Sequence, residues 1–132
     1  MYKKNFFILA TVIILLAVII GAYGAHGLRP FMGETGMTTF KTGSQYHFYH
    51  GIAIWLVLSL HFQINIQRIS RIIYFFTAGI ICFSGSLYLL SIKSILSSSL
   101  VSILGPITPI GGLFFIVGWV LILISLIKSP SA

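Results

Sequence analysis

The sequence predicts an all-α integral membrane protein, a four-helix bundle that crosses the bilayer four times. Of its 132 residues, 58% are hydrophobic and only 7% are charged, which is unlike a soluble domain of this length. The few charges lie almost entirely between four apolar stretches, at residues 6–23, 45–62, 72–92 and 106–127. A helix of about 18 to 25 apolar residues crosses a hydrocarbon core about 30 Å thick, so each stretch reaches or nearly reaches a spanning length. We therefore expect residues 1–132 to form a single membrane domain.

The first stretch contains an unbroken apolar run at residues 13–20, which lacks the alternation of a barrel strand and favours a helix. Lys3 and Lys4 precede it, and small residues around Ala22 follow it, so a cleaved signal peptide is the alternative interpretation. The apolar region is longer than the roughly 7 to 15 residues usual in signal peptides. We therefore expect this segment to stay as the first spanning helix.

The connections between the stretches differ in length. The first, at residues 24–44, is punctuated by Pro30 and two glycines, and residues 37–41 are expected to form a short interfacial helix before the second span. In the short second connection, Arg68 and Arg71 lie one helical turn apart, and we expect them to contact anionic lipid headgroups. The third is expected to cover residues 93–105. Thr108 and Pro109 form a favourable helix start, so the fourth span is expected to begin near Pro109.

Basic residues are unevenly divided between the two sides of the predicted bundle. Because basic residues near short loops favour the cytoplasm, we expect both termini to be cytoplasmic. The net charge of +7 does not indicate a nucleic-acid partner, since the cations are scattered singly or in pairs. On one side we expect Lys3, Lys4, Arg68, Arg71 and Lys128, and on the other Arg29, Lys41 and Lys93 with the only acid, Glu34.

With this topology, most of the polar side chains gather in the outer half of the bundle, whereas the inner half is almost entirely aliphatic and aromatic. This is where a candidate ligand-binding cluster is expected. His50 lies four residues after Tyr46 and should face the bundle, as ionisable residues in membranes usually do. The candidate residues are His26, Tyr46, His50, Ser84, Ser86, Tyr88 and Thr108.

The chemistry of this cluster is open at the level of sequence. A neutral imidazole can donate an interhelical hydrogen bond, contact a lipid or small ligand, or ligate a metal or haem. His26, expected near the depth of His50, would supply with His47 and His50 at most three ligands. The single cysteine, Cys82, excludes an internal disulfide and a paired-cysteine metal site. A nucleophilic Ser84 or Ser86 is not expected, because no carboxylate lies within a span.

Small residues recur at helical spacing and favour close helix packing. The same faces are also compatible with a homo-oligomer interface, and sequence alone does not separate the two. The residues are Ala10, Ala17, Gly21 and Ala25 in the first stretch, Ala78, Cys82 and Ser86 in the third, and Gly111 and Gly118 in the fourth.

Four ordered motifs, which together cover almost the whole chain, resemble the small four-span bacterial membrane proteins grouped as domain of unknown function 423. They are G-A-Y-G-A-H at residues 21–26, T-G-x-x-Y-x-x-Y-H at 42–50, F-S-G-S-L-Y at 83–88, and G-P-I-T-P-x-G-G at 105–112 with Gly118-Trp119. His47 departs from the family pattern, in which an uncharged polar residue such as Gln is commoner. The resemblance implies a membrane location and a four-span fold, and no established activity.

The sequence is therefore most consistent with a non-enzymatic, multi-pass protein of the cell membrane. Its polar cluster is expected to pack the helices together and to bind a lipid or small molecule. A small transporter or channel component is the alternative, and a haem or metal-binding membrane protein is a further one. Transport would have to depend on histidine, since no Asp or Glu lies inside a span.

Overall fold

The chain forms four long helices in a computed structural model, which describes the backbone of residues 2–128 and the side chains of residues 4–128. Helix α1 is Tyr2–His26, α2 is Glu34–Ser59, α3 is Ile66–Ser91 and α4 is Ser98–Ile127. Short 3-10 turns occupy the three connections, at Arg29–Phe31, Leu60–Phe62 and Lys93–Ile95. Residues 2–128 contain no β-strand. The all-α prediction is confirmed.

Three of the helices, α1, α3 and α4, are long and apolar enough to cross a membrane. Helix α2 is less apolar because it carries polar side chains on its packed face. His47 and His50 are each only 5% exposed, although α2 turns apolar residues such as Leu56 outward. The two central histidines of α2 therefore face the other helices instead of the surroundings of the bundle.

Neighbouring helices run antiparallel, and glycines mark their closest approaches. Gly24 of α1 lies against Phe40 of α2, and Gly51 of α2 lies against Ile14 of α1. In the same way, Gly111 and Gly118 of α4 lie against aromatic residues of α3. Small residues allow this approach where lipid is as apolar as the side chains, so the packing role predicted for Gly111 and Gly118 fits the structure.

The two ends of the bundle are defined by their connections. At one end, the Ser94 hydroxyl of the third connection donates to the Phe31 carbonyl of the first at 3.0 Å. We call this the first-loop end. The start of α1, the second connection and the end of α4 lie at the opposite end, which we call the second-loop end. There Phe6 of α1 packs edge-on against Tyr74 of α3, with ring centroids 6.3 Å apart.

The apolar core lies mainly toward the second-loop end, where fully buried side chains of α2 and α3 meet Phe6 and Ala10 of α1. Close packing of these aliphatic and aromatic side chains fixes the register of the helices. The largest fully buried residues of this core are Ile54, Leu58, Ile69, Ile72, Ile73 and Phe76.

Helix α2 begins earlier than the sequence predicted. Residues 37–41, expected as a separate interfacial helix, are part of α2 itself. Gly33 supplies an extended N-cap and Glu34 lies in the first turn, where a negative charge favours the helix dipole. The hydroxyls of Thr38, Thr39 and Thr42 bond to carbonyls one turn back, so these polar residues do not interrupt the helix.

The prediction that the fourth helix begins near Pro109 is wrong. Helix α4 begins at Ser98, and the hydroxyl of the N-cap residue Ser97 accepts from the amide of Leu100 at 3.4 Å. Pro106 and Pro109 therefore lie inside the helix. Proline is tolerated there because membrane helices satisfy the freed carbonyls through neighbouring groups, and Ser97 offers a cap earlier than Thr108 does. The expected long third loop shortens accordingly.

Helix α3 contains a π-helical segment at Ile80–Ser84. Such a segment inserts extra backbone into the helix and changes the directions of the side chains that follow. This segment packs against both α2 and α4. Phe83 consequently contacts Tyr46 of α2 and Phe115 of α4, with ring centroids 4.8 and 5.6 Å away.

Candidate functional site

His50 lies at the centre of the bundle, where both of its ring nitrogens are hydrogen-bonded. Its Nδ1 lies 2.8 Å from the carbonyl oxygen of Tyr46, one turn back on α2. Its Nε2 lies 3.2 Å from the indole nitrogen of Trp119 on α4. An indole N–H only donates, so Nε2 must accept and Nδ1 must carry the proton that bonds the carbonyl. The two partners therefore select the neutral imidazole in a single tautomer.

Aromatic rings enclose the same imidazole. Phe115 of α4 stacks on it, with centroids 3.6 Å apart and planes 11° from parallel. Phe76 of α3 meets it edge-on at 5.2 Å, and Tyr46 stacks at 5.9 Å. These contacts exclude polar molecules from both faces of the ring. His50 thus links three helices by packing and two of them by a hydrogen bond.

A groove between the helices adjoins His50. It encloses ≈ 470 Å³ between α2, α3 and α4. Pro109 and Gly112 leave room on α4, since a Cβ added at Gly112 would meet nothing nearer than Phe83 at 3.7 Å. The residues of this His50 groove are Tyr46, His50, Phe83, Pro109, Gly112, Leu113, Phe115, Ile116 and Trp119.

The His50 groove is apolar and opens sideways. Leu113, Ile116 and Trp119 on its rim are each more than half exposed in the isolated chain. In a bilayer such a surface faces hydrocarbon, so the groove is open to lipid chains. The lining residues that carry a polar side-chain group are Tyr46, His50 and Trp119.

A second polar cluster joins α2 to α3 beside α1. Nδ1 of His47 lies 3.0 Å from the hydroxyl of Tyr88, and Ser44 lies within hydrogen-bonding reach of the same hydroxyl. The backbone of Ile13 in α1 lies near the His47 ring. Phe40 packs against the Tyr88 ring at 5.1 Å. We call Ser44, His47 and Tyr88 the Tyr88 cluster. Its chemistry joins α2 to α3 through neutral hydrogen bonds.

The candidate hydroxyls on α3 and α4 differ in their hydrogen-bond partners. Ser86 and Thr108 lie 2.7 Å apart, and each also bonds a carbonyl of its own helix, Phe83 and Leu104 respectively. Ser84, by contrast, is fully buried and its hydroxyl has no hydrogen-bond partner among the described residues. It ends the π-helical segment.

The structure brings six of the seven candidate residues into this central region and leaves His26 outside it. Gly21 faces Ser44 and Gly51 faces Ile14, so His50 is level with the middle of α1. His26 is about a dozen residues farther along, which at 1.5 Å per residue is about 18 Å. The expectation that His26 lies near the depth of His50 does not fit this register. Five of the six residues divide between the His50 groove, the Tyr88 cluster and the Ser86–Thr108 pair, and Ser84 belongs to none of the three.

Two contributors, His47 and Trp119, were not among the candidates. His47 is buried because it lies on the stripe Gly43, His47, His50 and Ile54, which the spacing of buried positions on α2 follows. Trp119 lies on α4 and donates to the buried His50, and Tyr88, one of the candidates, bonds the buried His47. The spacing of residues along α2 could have found His47, whereas the partnership with Trp119 depends on how α4 crosses α2.

Other grooves also carry polar residues, and two of them bear on the predictions. One of ≈ 320 Å³ lies between α1 and α2, with Lys41, Ser44 and Gln45 among its lining residues. A smaller one, of ≈ 160 Å³, lies at the second-loop end between α3 and α4. It includes Arg68 and Arg71, the residues expected to contact anionic headgroups.

The described side chains do not form a set of metal ligands. Within residues 4–128, no group of three His, Cys, Asp or Glu side chains is close enough to hold a metal ion. His47 and His50 use their ring nitrogens in hydrogen bonds to protein groups. What the arrangement offers chemically is hydrogen bonding inside an aromatic groove.

Comparison with known proteins shows a family and close relatives. A family model described as "Protein of unknown function (DUF423)" matches residues 20–112. The chain is 40% identical to the UPF0382 membrane protein YwdK of Bacillus subtilis over 126 residues, which cover 95% of this chain and 98% of that protein. It is 39% identical to the UPF0382 membrane protein SAB0533 of Staphylococcus aureus over 127 residues, covering 95% and 97%. No solved structure matches the chain.

Proposed function

This chain belongs to the DUF423 family of bacterial membrane proteins, and we propose that it is a non-catalytic lipid-binding protein whose His50 groove holds the acyl chain of a membrane lipid. The observation that carries the proposal is the ≈ 470 Å³ groove, lined by aromatic rings, with the imidazole of His50 fixed in its wall. The chain acts as one membrane domain.

A lipid is the occupant that the surroundings of the groove favour. The rim residues Leu113 and Ile116 are exposed and apolar, so the molecules adjacent to the opening are lipid chains. Within the groove, Phe83 and Phe115 offer apolar surface to a chain, while the Tyr46 hydroxyl offers a hydrogen bond to an ester or headgroup oxygen.

The fixed tautomer of His50 supports a structural role for that residue. Proton transfer or metal ligation through Nε2 would first have to break its bond with Trp119. The same bond holds one rim of the groove, because Trp119 is a lining residue. His50 therefore shapes the groove by positioning Trp119, and the Tyr88 cluster and the Ser86–Thr108 pair hold the surrounding helices.

Both termini are proposed to be cytoplasmic. Lys4, Arg68, Arg71 and Lys128 lie at the second-loop end, whereas Arg29, Lys41, Lys93 and the single acid Glu34 lie at the first-loop end. Basic residues favour the cytoplasmic side, where Arg68 and Arg71 would contact anionic headgroups. In this orientation the His50 groove runs from the middle of the bilayer toward the outer leaflet.

Native mass spectrometry of protein extracted gently from bacterial membranes tests the proposal. We expect wild type to retain a lipid, and Gly112→Leu to lose it because the new side chain fills the groove. Gly105→Leu is the matched control, since it lies on the same helix where a Cβ meets nothing within 4 Å. Equal lipid retention by the two variants would show that the groove is not the lipid site.

A further inference from the structure

The small groove at the second-loop end collects three cations. Arg68 and Arg71 enter it from the first turns of α3, and Lys128 enters it from the end of α4. Ser125, which is buried, and the apolar residues Leu121 and Ile124 complete its lining. We call this groove of ≈ 160 Å³ the basic pocket.

The packing of α3 against α4 explains why these residues converge. Phe83 meets Gly111, Gly79 meets Phe115, and Phe76 meets Gly118, which defines an antiparallel register. Continued to the second-loop end, this register places the first turns of α3 beside Ser125 and Lys128. Phe75, one helical turn along α3 from Arg71, already contacts α4, because its ring lies 6.1 Å from the ring of Phe114.

No acidic side chain of this protein is available to neutralise the basic pocket. The sequence contains a single Asp or Glu, which is Glu34, and it begins α2 at the opposite end of the bundle. The three cationic side chains are exposed. Three like charges around one concavity repel one another unless an anion lies between them.

We propose that the basic pocket binds a phospholipid whose headgroup carries two phosphate groups. This inference rests on the proposed contact of Arg68 and Arg71 with anionic headgroups, and it adds a third ligand, Lys128, and a defined lipid class. A headgroup with one phosphate brings one negative charge to three cations. A headgroup with two phosphates brings about two charges, and each arginine can bond one phosphate through two parallel N–H donors.

The location suits a lipid of this class. The pocket opens between two helices at the bundle end proposed to be cytoplasmic, and basic pockets of that kind recognise multiply charged headgroups. Leu121 and Ile124 form the side of the pocket nearer the bilayer centre, where the start of an acyl chain would follow a phosphate. A soluble diphosphate has the same charge but no chain to place there.

The test is a binding titration of the protein in nanodiscs of zwitterionic lipid, read by native mass spectrometry. Cardiolipin is the probe with two phosphates, phosphatidylglycerol is the probe with one, and inorganic pyrophosphate is the soluble competitor. We expect cardiolipin to bind at least about 10-fold more tightly than phosphatidylglycerol, and millimolar pyrophosphate to displace little of it.

Two matched triple variants locate the site. Arg68→Gln with Arg71→Gln and Lys128→Gln should weaken cardiolipin binding roughly 100-fold, since each surface cation contributes roughly fivefold. Arg29→Gln with Lys41→Gln and Lys93→Gln removes the same charge from the first-loop end and should change binding little. Lys128→Gln alone, at an exposed helix end, should weaken binding several-fold without affecting folding.

Distinct results would overturn this inference or the broader proposal. Equal binding of cardiolipin and phosphatidylglycerol, both lost in the second-loop variant, would leave a general anionic contact and rule out the two-phosphate site. Displacement by pyrophosphate would assign the pocket to a soluble anion. If the second-loop variant lost thermal stability but kept its lipid, the cations would serve only to neutralise the carboxyl end of α4. None of these results bears on the lipid of the His50 groove, which the Gly112→Leu variant tests separately.

Discussion

The indole N–H of Trp119 donates to Nε2 of His50 at 3.2 Å, which joins α4 to α2 near the middle of the bundle. The bond places two polar groups of an otherwise apolar region against each other. It also fixes the side chain that forms one rim of the His50 groove. An ionisable residue at this depth is expensive unless it is neutral and bonded, and His50 satisfies both conditions.

Removal of the indole donor should destabilise the fold measurably. We expect Trp119→Phe to lower the free energy of unfolding by about 0.6 to 2 kcal/mol, because Nε2 of His50 then stays buried without a partner. Trp55→Phe is the matched control. Its indole bonds the exposed Thr11 hydroxyl, which keeps a second bond to Phe7, so the loss should be smaller. Unfolding in mixed micelles measures both, and equal losses would contradict the special role of the His50 bond.

Two adjacent glycines of α4 should respond very differently to alanine. A Cβ at Gly111 would collide with the backbone of Phe83, which cannot move without shifting the π-helical segment. We expect Gly111→Ala to cost about 1 to 3 kcal/mol of stability. Gly112→Ala should cost less than about 0.5 kcal/mol, since its Cβ has ordinary contacts. Thermal unfolding in detergent distinguishes them, and similar melting temperatures would mean that α3 and α4 are packed differently.

The stability of His47 variants should depend on the hydrogen-bonding capacity of the new side chain and not on its charge. His47→Gln keeps both a donor and an acceptor for the Tyr88 hydroxyl, so we expect a change within about 0.5 kcal/mol. His47→Leu leaves the half-buried Tyr88 hydroxyl without this partner and should cost about 1 kcal/mol. The same unfolding assay decides the point. A glutamine variant as unstable as the leucine variant would rule out this explanation of the Tyr88 cluster.

The proposed orientation predicts which connections a membrane-impermeant thiol reagent reaches in intact cells. In a Cys82→Ser background, Glu34→Cys at the first-loop end should be labelled from outside. Phe62→Cys, in the second connection and 88% exposed, should be labelled only after the membrane is permeabilised. The reverse pattern would place both termini outside and turn the His50 groove toward the inner leaflet.

Sequence reasoning succeeded for features that depend on composition and local spacing. The four helices follow from long apolar stretches, and the contact between Tyr46 and His50 follows from their spacing of one helical turn. The close approach of α4 at Gly111 and Gly118 was likewise predictable from small residues at helical spacing.

What sequence reasoning missed depends on tertiary register and on backbone details. Pairing of His50 with Trp119 requires the crossing of α2 and α4, which no periodicity encodes. The place of His26 depends on the register of α1 against α2, which sets it level with the first turns of α2. Helix α4 passes through Pro109 because Ser97 caps it earlier. The π-helical segment, which redirects Phe83 between α2 and α4, has no sequence signal that would have located it.

The most direct test of a lipid chain in the His50 groove is quenching of Trp119 fluorescence by lipids with brominated acyl chains. The protein has two tryptophans, so a Trp55→Phe background leaves Trp119 as the single reporter. We predict strong quenching that Gly112→Leu reduces and Gly105→Leu does not, because only the first substitution excludes the chain from the groove. Equal quenching in the two variants would show that lipid contacts Trp119 only from the outer surface of the bundle, and would contradict the proposal.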